Sequence, residues 1–448
     1  MSMVVKNNMS AVSTLNTLNK NSSALASSLK KVSSGMKINS AADDASGYAI
    51  SERMRVQIRG LDQANQNTQN GTSMMKVAEG AVSSTVDILK TLKEKVINAA
   101  NDTNTDSDRA TIQKELDQSI DQINDNANVT YNGKYLVDGS HNSKVQTTTT
   151  AMTNEALFSE TTGTTAFSAM KDRNGNSLNI NSLDTVTISF VKEGKTYSAT
   201  ASAKTGLDGL LAAANSAFKK DKKDKTGKAA TTDAFKATVS KGSYIGKDIA
   251  GDTVHTADEK NALTISAAGS GVANQISGIT ISVTNTQGQV QKSANAVLDN
   301  FSESVRAQNK SDDNAINLQV GTKANQSIRV GLTDMRAEAL GLQSSTGQTI
   351  QIGTQQQANA AVNVLDNAVQ KALDQQTTIG SVQSRLSYTS SNLTTASENV
   401  QASESTIRDA DMAKEMTEYT KNNVLLQAAQ SMLAQANQSS SSVLSLLQ

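Results

Sequence analysis

The 448-residue chain contains no proline, no cysteine and no tryptophan, and aromatic residues make up only 3% of it. Average usage would place roughly twenty prolines in a chain of this length. Proline costs about 3 kcal/mol in a helix interior, so a chain that must form long unbroken helices excludes it. The lack of cysteine rules out disulfides and thiolate metal sites. That suits a protein that folds outside a reducing cytosol without oxidative help, and many cytosolic proteins as well. With aromatics scarce, the core must come from Leu, Ile, Val, Met and Ala, which suits helix seams. The 42 basic residues balance 42 acidic ones, which argues against nucleic acid or an anionic membrane as partner and permits self-association. No segment approaches the roughly 20 apolar residues of a membrane span, and the start has no apolar stretch of signal-peptide length. Neither membrane insertion nor a cleaved Sec-type signal is expected.

Against these absences stands a strong periodicity. Between Gln356 and Ile407, Leu365, Ala372, Ile379, Leu386, Leu393, Val400 and Ile407 recur at every seventh residue. The positions three further on (Ala368, Gln375, Val382, Thr389, Ala396, Ser403) are mostly small or apolar. A strict seven-residue repeat keeps one stripe of a helix against a partner, the seam of a left-handed coiled coil. The stripe from Leu365 to Ile407 alone would be roughly 60 Å long at 1.5 Å per residue. A second repeat runs through Met54, Leu61, Thr68, Met75, Val82, Leu89 and Val96, and supplies the partner. Oxygen-bearing side chains in Ser40-Ala-Ala-Asp43-Asp44 read as its start. Thr105 with Asp108 reads as the cap of a third helix reaching about Asn126. Val129–Val137 gives a short hairpin with an Asn132-Gly133 turn.

The two chain ends mirror each other. Leu25, Leu29, Val32 and Met36 form a thin stripe on an outer N-terminal helix, with Val12, Leu15 and Leu18 ahead of it. Leu425, Ala429, Met432 and Ala436 repeat the 4-3-4 spacing near the C-terminus, which ends in apolar Val443–Leu447. Such stripes are too thin to hold a helix alone and expect a partner.

Composition changes near Gly139. Residues 141–311 are rich in Thr, Ser, Lys and Gly, with strands expected at Val186–Phe190, Tyr197–Ala199 and Ile279–Val283, and a helix at Leu207–Phe218. The Thr147–Thr150 and Thr161–Thr165 tracts read as edge strands or loops. Ile316–Val320 and Ile328–Leu332 make a second hairpin, and a Leu340-Gly-Leu342 stop precedes the long helix. The fold class is therefore mainly α: a long antiparallel helical coiled-coil rod from both chain ends with short β-hairpins, plus an inserted mixed α/β domain. Residues 1–40 and 409–448 form the terminal helices, 41–140 and 312–408 the rod, and 141–311 the inserted domain.

Catalysis has no foothold. His141 and His255 lack a second ligand at metal spacing, and no Walker, Gly-x-Ser-x-Gly or Gly-x-Gly-x-x-Gly motif is present. No cofactor and no catalytic or metal site is expected. The Lys219–Lys225 run is diluted by Asp and reads as a solvated loop tip.

The stretches Leu25–Ile50, Ile407–Met416, Leu433–Gln438 and Val443–Leu447, together with Leu318-Gln-Val-Gly321 and Asp334–Leu342, resemble bacterial flagellin. The resemblance covers roughly 1–140 and 316–448 and implies a secreted, non-enzymatic subunit of the extracellular flagellar filament. Its implied partners are further copies of itself, the hook–filament junction and filament cap proteins, an export chaperone and the type III export apparatus. Met54, Leu61, Met75, Val82, Leu89 and Val96 would pack against Leu365, Ile379, Leu386, Leu393, Val400 and Ile407 in the rod. Leu25, Leu29, Val32, Met36, Leu425, Leu426, Met432, Leu433, Leu444 and Leu447 would carry polymerisation. In relatives detected by a Toll-like innate receptor, the second helix bears an Arg-rich contact stretch. Aligned on Ala100-Asn101, this chain reads Leu89-Lys-Thr91-Leu-Lys93-Glu94 there, with Thr91 in place of a key Arg and Glu94 kept.

Two other classes have discriminating features. A chemoreceptor-type coiled coil requires a membrane span or regularly spaced methylatable Glu/Gln pairs, and an enzyme in the insert requires a ligand set or triad. The sequence has none of these.

Overall fold

The proline-free repeats become two helices of 55 and 54 residues. A computed structural model describes residues 8–221, 233–239, 244–257 and 259–446. Taken along the chain, α1 is Met9–Ser34, α2 Ala45–Ala99 and α3 Asp106–Ala127, followed by the paired strands β1 Thr130–Tyr131 and β2 Lys134–Tyr135. The insert holds β3 Ala151–Asn154, β4 Thr185–Lys192, β5 Lys195–Ser202, α4 Leu207–Asp221, β6 Phe235–Val239, β7 Tyr244–Lys247, β8 Thr253–His255, β9 Leu263–Ala267, β10 Ile276–Thr284, α5 Lys292–Leu298 and β11 Ser302–Val305. The chain returns through β12 Ile316–Gln319, β13 Ser327–Val330, α6 Ala337–Leu340, α7 Gln355–Arg408 and α8 Met412–Leu446.

The chain divides into two compact units, and both α2 and α7 contribute to each. The first takes the described parts of 1–69, 319–326 and 388–448. In it Leu61, Ala64 and Leu393 form a small apolar cluster, with Ala396 and Val400 packed against it. Asp62 Oδ1 accepts from Ser397 Oγ at 3.0 Å, and Asn65 Oδ1 from Ser390 Oγ at 2.7 Å. Partners fall along α7 as they rise along α2, so the pair is antiparallel as the mirrored repeats require.

The second unit, 70–318 and 327–387, carries the tighter half of the seam. Met75, Val82, Leu89 and Val96 of α2 and Leu365, Ile379 and Leu386 of α7 are all fully buried. Gln383 Nε2 donates to Glu79 at 2.8 Å, and Lys93 pairs with Asp366. The expected cap of α3 is present: Thr105 Oγ1 accepts from the Asp108 N–H while the Asp108 carboxylate accepts from the Thr105 N–H. Buried Arg109 then closes the C-terminus of α2, donating to the Ala99 and Asn101 carbonyls at 2.9 and 3.1 Å. The Asn132-Gly133 turn has positive φ at both residues, matching a type I′ hairpin.

The insert contains a three-stranded antiparallel sheet, β10-β4-β5, and a four-stranded one, β11-β3-β9-β6. β4 and β5 pair without slippage from Thr185↔Ser202 to Lys192↔Lys195 around the Glu193-Gly194 turn. Both sheets and α4 share one apolar core, in which Phe190 stacks on Tyr197 and meets Phe235 edge-on, while Tyr197 meets Phe218 edge-on. The Thr147–Thr150 tract is a loop leading into the interior strand β3, as one of the two expected readings had it, with an isolated bridge at Thr148 and with Thr148 and Thr150 buried. The Lys219–Lys225 run lies partly outside the described residues.

Two glycines mark close approaches. At Gly278 (φ +62°), a Cβ would stand 2.5 Å from the Ala360 carbonyl of α7, and β10 bulges there. At Gly71, a Cβ would stand 2.8 Å from Leu318 of β12.

Candidate assembly surface

The two terminal helices pack on each other, antiparallel and side by side. α1 starts at Asn8, whose Oδ1 accepts from the Ala11 N–H, and stops at Gly35 in the left-handed region. Its contact face on α8 is held by amides: Asn21 Nδ2 donates to the Leu425 carbonyl at 3.2 Å, Asn422 Nδ2 to Ser28 Oγ at 3.0 Å, and Asn8 Nδ2 to the Ala436 carbonyl at 3.2 Å. Lys31 and Glu415 add an ion pair at 3.9 Å. Of the described side chains of the two helices, only Ser28 and Ala429 are fully buried.

This geometry corrects the expected stripes. On α1 the inward face takes Leu18, Asn21, Leu25, Ser28 and Val32, while Leu29 is 51% exposed. Met36 lies beyond the helix, in an antiparallel bridge to Asp409, so it does not extend the stripe. On α8 the inward face takes Asn422, Leu426, Ala429, Leu433 and Ala436, while Leu425 and Met432 point outward at 42% and 62% exposure. The doublets Leu425-Leu426 and Met432-Leu433 offer two apolar stripes one residue apart, and periodicity cannot choose between them. Ser28 is polar and gave no apolar signal, yet it holds the tightest contact of α1. The side chain of Leu444 and the whole of Leu447 lie outside the described residues.

The result is a helix pair with apolar groups on two sides. One side packs the helices together. Around the rest of the pair, Val12, Leu15 and Leu29 of α1, and Met416, Val424, Leu425 and Met432 of α8, are exposed to solvent. Exposed apolar area of this extent marks an interaction surface.

Short linkers join these helices to α2 and α7. Asp44 caps α2, its Oδ1 accepting from the Ser46 and Gly47 N–H groups at 3.0 Å. Asp43 accepts from Ser40 Oγ and the N–H groups of Asn39 and Ser40, which holds its carboxyl below the usual range.

The rod residues divide by position. Met54, Val400 and Ile407 are only half-buried, while Leu61 and Leu393 are buried. The receptor-type stretch does not form one surface. Leu89 is fully buried in the seam and Lys93 pairs with Asp366, leaving Lys90, Thr91 and Glu94 exposed. Leu89 therefore has no surface of its own to offer here and packs in the seam.

The second unit also contains a polar cleft of about 480 Å³, lined in part by Asn142, Arg306, Gln308, Lys371, Asp374 and Gln375. Its charges are internally paired: Arg306 with Asp374 at 2.6 Å, and Lys371 with Glu303 at 3.7 Å. Burial pushes the Lys371 amine below its ordinary pKa. This network joins the end of the insert to α7. His141 meets the Asn314 carbonyl, and the His255 ring lies against Tyr244. Among the described residues no group of His, Cys, Asp and Glu could hold a metal ion, and no helix is long and apolar enough to cross a membrane.

A mainly helical chain with paired terminal helices and an exposed apolar face on that pair defines a self-associating structural subunit. The model of the bacterial flagellin N-terminal helical region matches residues 5–142, and that of the C-terminal helical region matches 362–447. The chain is 32% identical to a flagellin of Clostridium tyrobutyricum, over 97% of this chain and 99% of that one. It is 30% identical to a flagellin of Bacillus subtilis, over 99% and 100%. A flagellar hook associated protein of Legionella pneumophila superposes with a TM-score of 0.33 at 15% identity, over 79% of this chain and 97% of that one, too loosely to carry an argument. The chain belongs to the bacterial flagellin family, and it is a structural subunit of the flagellar filament.

Proposed function

We propose that this subunit polymerises through the outward face of the α1/α8 pair, while the α2/α7 seam serves as its rigid scaffold. The supporting observation is the double-sided apolar pattern of the terminal helices: Leu426 and Leu433 are drawn inward and Leu425 and Met432 remain exposed. Head-to-tail contacts between such faces do not close on themselves, and an open helical polymer results. Burying the exposed Leu, Val and Met groups would contribute roughly 25 cal/mol per Å² of apolar area removed from water. Residues 1–40 and 409–448 then form the filament core, 41–140 and 312–408 the rod, and 141–311 the outward-facing variable domain.

The same reading gives the route to the filament. The chain leaves the cell unfolded through the type III apparatus, with an export chaperone on its C-terminal segment. It is then added beneath a cap protein to a filament seated on junction proteins. The lack of proline and cysteine supports this, because refolding outside then waits on neither prolyl isomerisation nor disulfide formation. A Toll-like receptor would find Lys90, Thr91 and Glu94 of the expected stretch at the surface.

Deleting Asp409–Gln448 tests the assembly surface. The truncated chain should be a soluble, helical monomer that forms no filaments. Normal filaments seen by electron microscopy would sink the proposal.

A further inference from the structure

Arg408, the last residue of α7, joins three segments at once. Its carbonyl accepts from the Lys37 N–H at 2.7 Å, and the Ala410 N–H donates to the Gly35 carbonyl at 2.9 Å. These two bonds flank Met36↔Asp409 and make a minimal antiparallel ladder between the α1–α2 and α7–α8 linkers. Its side chain turns into α2. Nη1 donates to Glu52 Oε1 at 2.6 Å and reaches Ser51 Oγ at 3.5 Å, and the guanidinium lies over the Tyr48 ring at 5.4 Å. The residue is 5% exposed, and its Nε has no partner.

A two-bond ladder does not hold itself together in water, since even a full hairpin is marginal. Something else must fix it: Ile38 is buried beside Gly47 of α2, and the Arg408 side chain ties the α7 end of the ladder to α2. Stability alone is a poor account of a buried guanidinium with an orphan donor, because a buried ion pair replaced whole by apolar side chains of similar volume is often as stable or more so. What an apolar residue could not do is hold one end of the ladder in a single orientation on Glu52 and Tyr48.

We propose that Arg408 is a positioning residue for filament assembly: it locks the two linkers together and fixes the terminal helix pair in the one placement that a neighbouring subunit accepts. This rests on the polymerisation reading above. A pair free to sample several placements binds with an affinity reduced by the fraction that is competent. The contact to Glu52 is monodentate, so a lysine retains it, and its ammonium can also lie over Tyr48.

Two measurements on the full chain decide the matter. The first is the oxidation rate of Met36→Cys/Asp409→Cys, an unambiguous pair in a chain without native cysteine. Directly opposed residues of this kind lie within disulfide range. Arg408→Met should slow that cross-link several-fold and Arg408→Lys should leave it near the parent rate, while thermal unfolding of both stays unchanged. An unchanged rate in Arg408→Met overturns the latch.

The second is the critical concentration for growth on filament seeds, by sedimentation. Arg408→Met should raise it by about tenfold, the expected result when about a tenth of the pairs are competent. Arg408→Lys should stay close to the parent, and the Met36–Asp409 disulfide should restore Arg408→Met. The rescuing cross-link is the disulfide of Met36→Cys/Asp409→Cys, and parent-like growth of Arg408→Met, or failure of both rescues, overturns the assembly role. Should the parent chain itself not grow on seeds, the polymerisation reading falls and the assembly role with it, while the cross-linking rates still decide the latch.

Discussion

The two helix pairs of this chain are built from similar residues and end in opposite states. In the second compact unit, every seam position from Met75 to Val96 on α2 is fully buried, as are Leu365, Ala368, Ala372, Ile379 and Leu386 on α7. The terminal pair has comparable numbers of Leu, Met and Val, yet buries only Ser28 and Ala429 among its described side chains. The difference lies in arrangement. The seam repeats place one apolar stripe on each helix, and one partner consumes it. On α8 the apolar residues come in adjacent doublets, so a single partner covers half of them. A helix pair of the first kind is finished as a subunit, and one of the second kind is finished only by further subunits.

The insert offers a third solution. All six phenylalanines of the chain lie between residues 141 and 311. A compact core of two sheets and a helix needs bulky side chains, whereas a helix seam is filled by Leu, Ile, Val and Ala. The aromatic side chains, 3% of the whole chain, are therefore concentrated where a compact core needs them, and the long helices do without phenylalanine.

These contrasts can be broken experimentally. Leu89→Ala should have the largest effect, costing about 2–5 kcal/mol because the closed seam cannot collapse around the cavity. Denaturant unfolding of the monomer measures it, and a cost below 1 kcal/mol would mean that the seam is looser than its burial indicates. Asp299 comes next. Its carboxyl is pushed up to about 6, by burial. A carboxyl whose folded pKa lies above its unfolded value contributes its stability at low pH and loses it as pH rises through the folded value. The insert should therefore lose stability between about pH 4 and pH 6. Asp299→Asn, which keeps an acceptor for the Ile281 N–H, should remove that slope and stabilise the insert at neutral pH by roughly 1–3 kcal/mol. A pH series of thermal midpoints for both chains would show it.

Thr105→Ala removes the capping box of α3 and should cost about 1 kcal/mol by the same denaturant assay. Met432→Gln should be the mildest for the monomer, within about 0.5 kcal/mol of the parent because the site is exposed. It should nevertheless weaken seeded growth. If it destabilises the monomer as Leu89→Ala does, the distinction between the two helix pairs fails.

Much of this architecture was legible in the residues. The heptads of Met54–Val96 and Leu365–Ile407, the Thr105–Asp108 box, the Asn132-Gly133 turn and the Gly341 stop all rest on local rules, and each is where those rules place it. What escaped were facts set by partners. Ser28 faces α8 because Asn422 reaches it, and Leu29 does not. Thr150 is buried because β3 lies inside a sheet whose other strands come from far along the chain. Arg408 reads as an ordinary helix-terminal cation until Glu52 and Tyr48 are brought to it.

The sequence by itself determined which segments are helices, where they stop and which repeats could pair, because propensity, capping and period are properties of neighbouring residues. Only the tertiary structure decided which of two adjacent stripes on α8 turns inward, which polar side chains fill the helix contacts and where the two linkers meet. Those choices depend on groups hundreds of residues apart in sequence, and no local pattern records them.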